Sequence, residues 1–335
     1  MAKMKYNYEL TISSSPHAHS ATTTQTVMRD VLIALLPALI GSVYFFGLRA
    51  LMVTLVSAAA CVFFEWGYRK MMKLDDTTWD LSAVVTGVLL AFVCPVTIPY
   101  CAIILGDLFA IVLVKQLFGG IGKNFVNPAL AGRAFMFSWP VAMSTWIKVG
   151  FENSANLIGS NADIVTQATP LSAMHQGTFD ASLGTVTDLF IGSVGGCLGE
   201  TSALLLLIGF AYLLVRKVIS ARIPVAYMAT VAVLSFVFPM GNDPLTWMAA
   251  QVFGGGLMLG AIFMATDYVT SPITKLGQII FGIGCGVITI LIRYFGGYSE
   301  GVSYAILIMN LTVVLLDKVG RPVKFGAPKK EAAKK

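Results

Sequence analysis

The run Gly87-Val88-Leu89-Leu90-Ala91-Phe92-Val93-Cys94-Pro95-Val96-Thr97-Ile98-Pro99 is an apolar segment closed by two prolines. Its pattern returns from Gly260 to Pro272, with identities at Gly87/Gly260, Val96/Val269, Thr97/Thr270 and Pro99/Pro272. Phe118-Gly119-Gly120 is likewise matched by Phe295-Gly296-Gly297. Around these anchors, apolar runs near the membrane span of about 20 residues predict helices at about 31–48, 50–68, 79–96, 101–118, 124–141, 190–215, 222–239, 245–265, 276–295 and 302–317. An odd number of spans in each half inverts one copy relative to the other, as in transporter-like folds with sites at the repeat interface. The expected fold is thus an all-α integral membrane protein of about ten transmembrane helices in two inverted five-helix repeats.

This reading divides the chain into an N-terminal segment (1–30), a first repeat (31–141), a polar loop (142–189), a second repeat (190–317) and a basic tail (318–335). The sixth helix opens on Gly192-Ser193-Val194-Gly195-Gly196 and Gly199-Glu200-Thr201-Ser202, so a broken or re-entrant start is expected there.

Composition agrees with a membrane protein. Only 12% of the 335 residues are charged and 56% are hydrophobic, against roughly 25% charged in soluble domains. Mean hydropathy is +0.78. Disorder is excluded by the same figures. The net charge of +6 follows topology rather than nucleic acid. All 23 Lys and Arg except Arg49, Arg133, Lys148 and Arg293 fall on one face, so the positive-inside rule places both termini in the cytoplasm and 142–189 outside. No cleavable signal peptide is read in the polar first 25 residues.

Five cysteines (Cys61, Cys94, Cys101, Cys197, Cys285) form no C-x-x-C pair, so neither a structural zinc nor an iron–sulfur cluster carried by this chain alone is expected. His17, His19 and His175 all lie outside the apolar runs, which argues against an intramembrane haem. Ionisable residues inside spans are functional candidates because burying them is costly. Here they are Asp107, Arg133 and Glu200, with Glu65 nearer an end. Asp107 and Glu200 are ion-path candidates, and Asp107 is also placed to pair with Arg133.

In the polar loop, Thr166-Gln167-Ala168-Thr169-Pro170-Leu171 resembles the Ser/Thr-x-Ala-Thr flavinylation motif. Local chemistry alone reads a turn or capping threonine, with Pro170 holding Thr169 away from the α region. Four further segments accompany the motif: Ser13-Ser14-Ser15-Pro16-His17, Phe118 through Phe135, Gly199-Glu200-Thr201-Ser202-Ala203 and Ala265-Thr266-Asp267-Tyr268-Val269-Thr270. Together, from about residue 11 to 325, they resemble the NqrB/RnfD family.

The resemblance implies a membrane subunit of the Rnf complex, which relays electrons between ferredoxin and NAD⁺ and couples this to Na⁺ or H⁺ translocation. It implies FMN joined to Thr169 by a phosphoester, attached outside by a flavin transferase. It also implies a second, non-covalent riboflavin, matched by Asn124, Asn127 and Asp267. RnfA, RnfB, RnfC, RnfE and RnfG would be partners in a bacterial or archaeal cytoplasmic membrane, and the chain would be a component without complete enzymatic activity alone. Two alternatives remain at this point: an NqrB-type subunit of a quinone-reducing Na⁺ pump, and a flavin-free channel or transporter.

Overall fold

A computed structural model describes residues 22–139, 143, 146, 169–177, 183–241 and 243–319. The Ser-Pro-His start, Thr166 with most of the polar loop, and the tail beyond 319 lie outside the described residues.

Helix α1 (Thr24–Phe46) begins at Thr23, whose hydroxyl accepts from the Thr26 N–H while Thr26 Oγ1 accepts from the Thr23 N–H. This reciprocal pair satisfies two of the donors a helix start leaves open. Gly47 alone separates α1 from α2 (Leu48–Met71). Its φ of 80° favours glycine, so α2 follows α1 without a longer loop. Arg69 and Lys70 close α2, where cations complement the helix dipole.

The expected ten spans and two inverted repeats do not stand. Among the described residues, only α1, α2 and Lys275–Phe295 are long and apolar enough to cross a membrane. The number rises to four if Pro244–Phe253 and Leu257–Met264, bent by 60°, count as one span. Several of these helices still suffice for a multi-pass membrane protein.

The remaining apolar runs are cut by backbone features that a hydropathy window does not register. The expected 79–96 span is a short 3-10 turn (Thr78–Asp80), a left-handed Leu81 (φ 63°) and α3 (Ser82–Phe92), which stops before Pro95. The 101–118 span is α4 (Tyr100–Leu108) running into π-helical turns (Phe109–Gln116). The 124–141 span shrinks to α5 (Pro128–Met136), fixed by Asn127 as N-cap and Pro128 as first residue.

A short α6 (Pro170–His175) and α7 (Leu183–Ile191) follow. The 190–215 span is broken as expected: α7 ends, 192–202 is non-helical, and α8 (Ala203–Val215) starts at Ser202. The chain continues through α9 (Arg222–Val237), α10 (Pro244–Phe253), α11 (Leu257–Leu259) with a π turn (Gly260–Met264), α12 (Lys275–Phe295) and α13 (Val302–Leu316).

The two matched segments also differ in form. Gly87 lies in α-helical α3, where a Cβ would meet the α2 backbone at Ala58 Cα (2.7 Å) and Ser57 O (2.8 Å). Gly260 opens a π turn and faces the Val302 side chain instead. Shared glycine and apolar composition accounts for the likeness without a structural repeat.

Helix α2 packs on α3 and α4, α1 on α8, and α9 on α12. The non-helical stretches meet between these pairs. Leu198 N–H donates to Cys94 O (3.1 Å) and Gly199 N–H to Phe92 O (2.9 Å). Gly199 is required there, since a Cβ would lie 2.5 Å from the Phe92 ring. Leu90, Phe92, Leu198, Leu257 and Ile262 are fully buried around the contact. Irregular backbone in an apolar setting is tolerated when protein covers it in this way.

Candidate functional site

Thr169 adopts an extended conformation (φ −65°, ψ 151°) with Pro170 as the first residue of α6. Its Oγ1 accepts the Ser172 N–H at 3.2 Å. The short helix is held by Leu171 and Met174, buried with Leu189, Trp247 and Ala250 of α7 and α10. His175 Nδ1 lies 3.1 Å from Arg293 O. Arg293 in turn donates to Gln251 Oε1 (3.0 Å) and Gly254 O (3.1 Å). The threonine is therefore presented from an anchored turn.

Thr169 lines a small cavity of about 50 Å³. Leu171, Leu189, Val194 and Phe253 give it apolar walls, while Gly195 and Gly196 leave one side without side chains. Cys197, Glu200, Thr201 and Glu300 supply its polar part.

Behind that polar part lies Arg133, 2% exposed at the side chain. Its Nη1 donates to Glu300 (3.1 Å), Ser303 Oγ (2.9 Å) and Glu200 (3.4 Å). Its Nη2 bonds Glu300 Oε2 and contacts Cys197 Sγ at 3.7 Å. The guanidinium also stacks over Phe137 at 5.3 Å. The ligand atoms of Cys197, Glu200 and Glu300 lie within 4.8 Å of one another. Arginine reaches all three residues, so the cation among them is the protein's own.

Asp107 and Arg133 do not pair. Arg133 turns to the two glutamates, and Asp107 turns to α2, where it meets Ser57 and Cys61. Glu65 is likewise engaged, with Lys115 Nζ at 2.7 Å and Thr77 Oγ1 at 3.1 Å. Glu300 escaped the sequence reading because it lies in a short polar turn between α12 and α13. One signal was available: like Glu200, it adjoins glycine in a helix break (Gly297-Tyr298-Ser299-Glu300-Gly301).

Asn124, Asn127 and Asp267 line a second cavity of about 350 Å³, with Lys115, Ser82 and Thr86 and the apolar Val27, Met28, Leu213 and Phe263. Asn127 Oδ1 caps α5 through the Ala129 and Leu130 N–H groups, and its Nδ2 donates to Met264 O (3.3 Å). Asn124 Nδ2 donates to Val126 O (3.1 Å). Asp267 accepts from Thr270 Oγ1 (3.0 Å). Burial pushes its carboxyl above the usual range, against the lowering effect of Thr270. Thr169 and the asparagine–aspartate group thus occupy separate cavities.

The family model described as NQR2, RnfD, RnfE family matches residues 11–326. The chain belongs to that family. It is 46% identical to the D subunit of the Na(+)-translocating ferredoxin:NAD(+) oxidoreductase complex of Acetobacterium woodii, over 96% of each chain. It is 42% identical to the D subunit of the proton-translocating ferredoxin:NAD(+) oxidoreductase complex of Clostridium ljungdahlii, over 97% of this chain and 98% of the relative. The D subunit of the ion-translocating oxidoreductase complex of Actinobacillus succinogenes is 33% identical over 93% and 96%. Residues 11–326 of this family member include both cavities.

Proposed function

We propose that the chain is the flavin-carrying membrane subunit of an Rnf-type complex, relaying electrons between ferredoxin and NAD⁺ in step with Na⁺ or H⁺ translocation. The near full-length similarity to subunits of such complexes carries the reading. The place of Thr169 on the lining of this pocket, beside apolar side chains, supports a covalent FMN there. Its Oγ1 uses a lone pair, not its proton, to cap Ser172. Esterification by the FMN phosphate would replace the proton and leave the cap intact.

Bound FMN would supply one- and two-electron redox chemistry. This chain's residues would do the rest. Leu171, Leu189, Val194 and Phe253 would offer the ring apolar contact beside Thr169. The Arg133–Glu200–Glu300 cluster fixes the charge beside it. Glu200 lines the cavity beside Arg133 and Glu300, so it is a position where a proton or cation could be taken up.

A non-covalent riboflavin would take the second cavity. Asn127 has both amide atoms engaged, so the Asn124 amide oxygen, Asp267 and Lys115 would be its main polar contacts. RnfA, RnfB, RnfC, RnfE and RnfG would complete the complex, and a flavin transferase would mature Thr169. Both termini would be cytoplasmic and the 142–189 segment outside. An introduced Ala155→Cys should then react with a membrane-impermeant thiol reagent on intact cells, above the parent chain. Labelling only after permeabilisation would reverse the topology.

The direct test is in-gel flavin fluorescence of the denatured chain, co-expressed with a flavin transferase. Wild type and Thr166→Ala should fluoresce, and Thr169→Ala should lose the signal completely. A dark wild-type band beside an active transferase would defeat the covalent-flavin reading. The flavin released into the supernatant on denaturation should remain in Thr169→Ala and fall in Asp267→Leu; equal release from both would leave the second cavity without a flavin.

A further inference from the structure

Asp107 on α4 is fully buried, at 0% exposure. Its Oδ1 lies 2.7 Å from Ser57 Oγ and 3.2 Å from Cys61 Sγ, and its Oδ2 has no hydrogen-bond partner. Ser57 Oγ also lies 2.8 Å from Gly87 O. A hydroxyl has one proton, and a carbonyl oxygen can only accept. If Ser57 donates to Gly87 O, the short contact to Asp107 needs a proton from the carboxyl. If Ser57 donates to Asp107 instead, the 2.8 Å approach of two oxygens at Gly87 is left without a proton.

No cation offsets a charge on Asp107 among the described residues. On α2, Ser57 and Cys61 face it, and both are neutral groups. On α5, Arg133 is committed to Glu200 and Glu300. Along the π turns, Lys115 is committed to Glu65. Past the end of α3, Cys94 is a buried thiol. An isolated carboxylate in such a place costs several kcal/mol or more, and a buried group meets that cost by taking up a proton. Sodium is a poorer occupant. It prefers hard oxygen ligands, and the Cys61 sulfur takes one side of the carboxyl.

We propose that Asp107 is a proton-binding carboxyl, neutral at pH 7, which donates to Ser57 Oγ while Ser57 donates to Gly87 O. Protonation completes an unbroken donor sequence from Asp107 through Ser57 to the α3 backbone, and proton loss breaks it. The α2–α3 contact is close-packed at that point, with the Gly87 Cα facing the Ala58 backbone. The protonation state of Asp107 is therefore read by the packing of α2 on α3. The inference is independent of the flavin reading, since it rests on neither cavity.

The test is infrared difference spectroscopy of the full chain in lipid vesicles, titrated with pH. At pH 7 the wild type should show the carbonyl band of a protonated carboxyl. That band should shift with aspartate carrying ¹³C in its side-chain carboxyl, vanish in Asp107→Asn and fade only at alkaline pH. Ser57→Ala, which removes the acceptor, should move it to higher frequency and keeps the test open if Asp107→Asn does not fold. Absence of an aspartate-dependent band at pH 7, or a band unmoved by Ser57→Ala, would overturn the proposal. So would loss of the band on adding Na⁺ at constant pH, which would make the occupant sodium.

Discussion

Arg133→Ala is expected to destabilise the folded chain by about 3–5 kcal/mol, the range for removing one partner of a buried ion pair. The reason is the inventory around the guanidinium. Glu200 and Glu300 are 5% and 15% exposed at their side chains, and Arg133 bonds both. Without it, two largely desolvated carboxylates face each other, with the Gly256 N–H on Glu300 (3.2 Å), the Cys197 thiol on Glu200 and the more distant Arg293 as weaker support. Thermal unfolding in detergent, followed by intrinsic fluorescence, reads the loss. Arg133→Met combined with Glu200→Gln and Glu300→Gln should recover most of it, because the uncompensated charges leave together. If Arg133→Ala unfolds at the wild-type temperature, the cluster is not held by charge compensation. If the triple variant is as unstable as the single one, packing against Phe137 matters more than charge.

The cluster also shows what the sequence could reveal. Glu200 is legible because an acidic residue beside glycines, inside an apolar run, is costly and so unlikely to be incidental. Its partner is not legible: Arg133 and Glu200 are separated by 67 positions, and nothing in either neighbourhood announces the contact. Thr169 is legible through a motif, and the extended backbone that Pro170 implied is what the structure has. The spans were misread for a different reason. Hydropathy sums side chains, whereas helix continuity depends on backbone events such as the left-handed Leu81 and the π turns after Leu108; the glycines after Ile191 are the break that the sequence did show. Lys115 shows a further limit, since charge counting by position says nothing of burial. It counts with the cytoplasmic face by position, yet it is 3% exposed and faces α2.

Lys115→Met should bring a second loss of about 3–5 kcal/mol, and its repair should be simpler. Lys115 Nζ lies 2.7 Å from Glu65 Oε2 and 2.6 Å from Ser82 Oγ. It thereby ties the π turns to α2 and to the first residue of α3. The single variant leaves Glu65, 1% exposed, with the Thr77 hydroxyl as its remaining partner among the described residues. Glu65→Leu added to Lys115→Met removes the orphaned charge, and apolar replacement of a whole buried pair is often neutral or stabilising. Thermal unfolding of the two variants should therefore differ by most of the single variant's loss; equal instability would show that the Ser82 contact, not the ion pair, holds α3 in place. The double variant also isolates a second role. Lys115 and Asp267 are the charged residues lining the larger cavity. Once stability has returned, a persisting deficit in released flavin belongs to the lost ammonium group as a ligand contact. Full recovery of flavin would make Lys115 a purely structural residue and leave Asp267 and Asn124 as the polar determinants of that cavity.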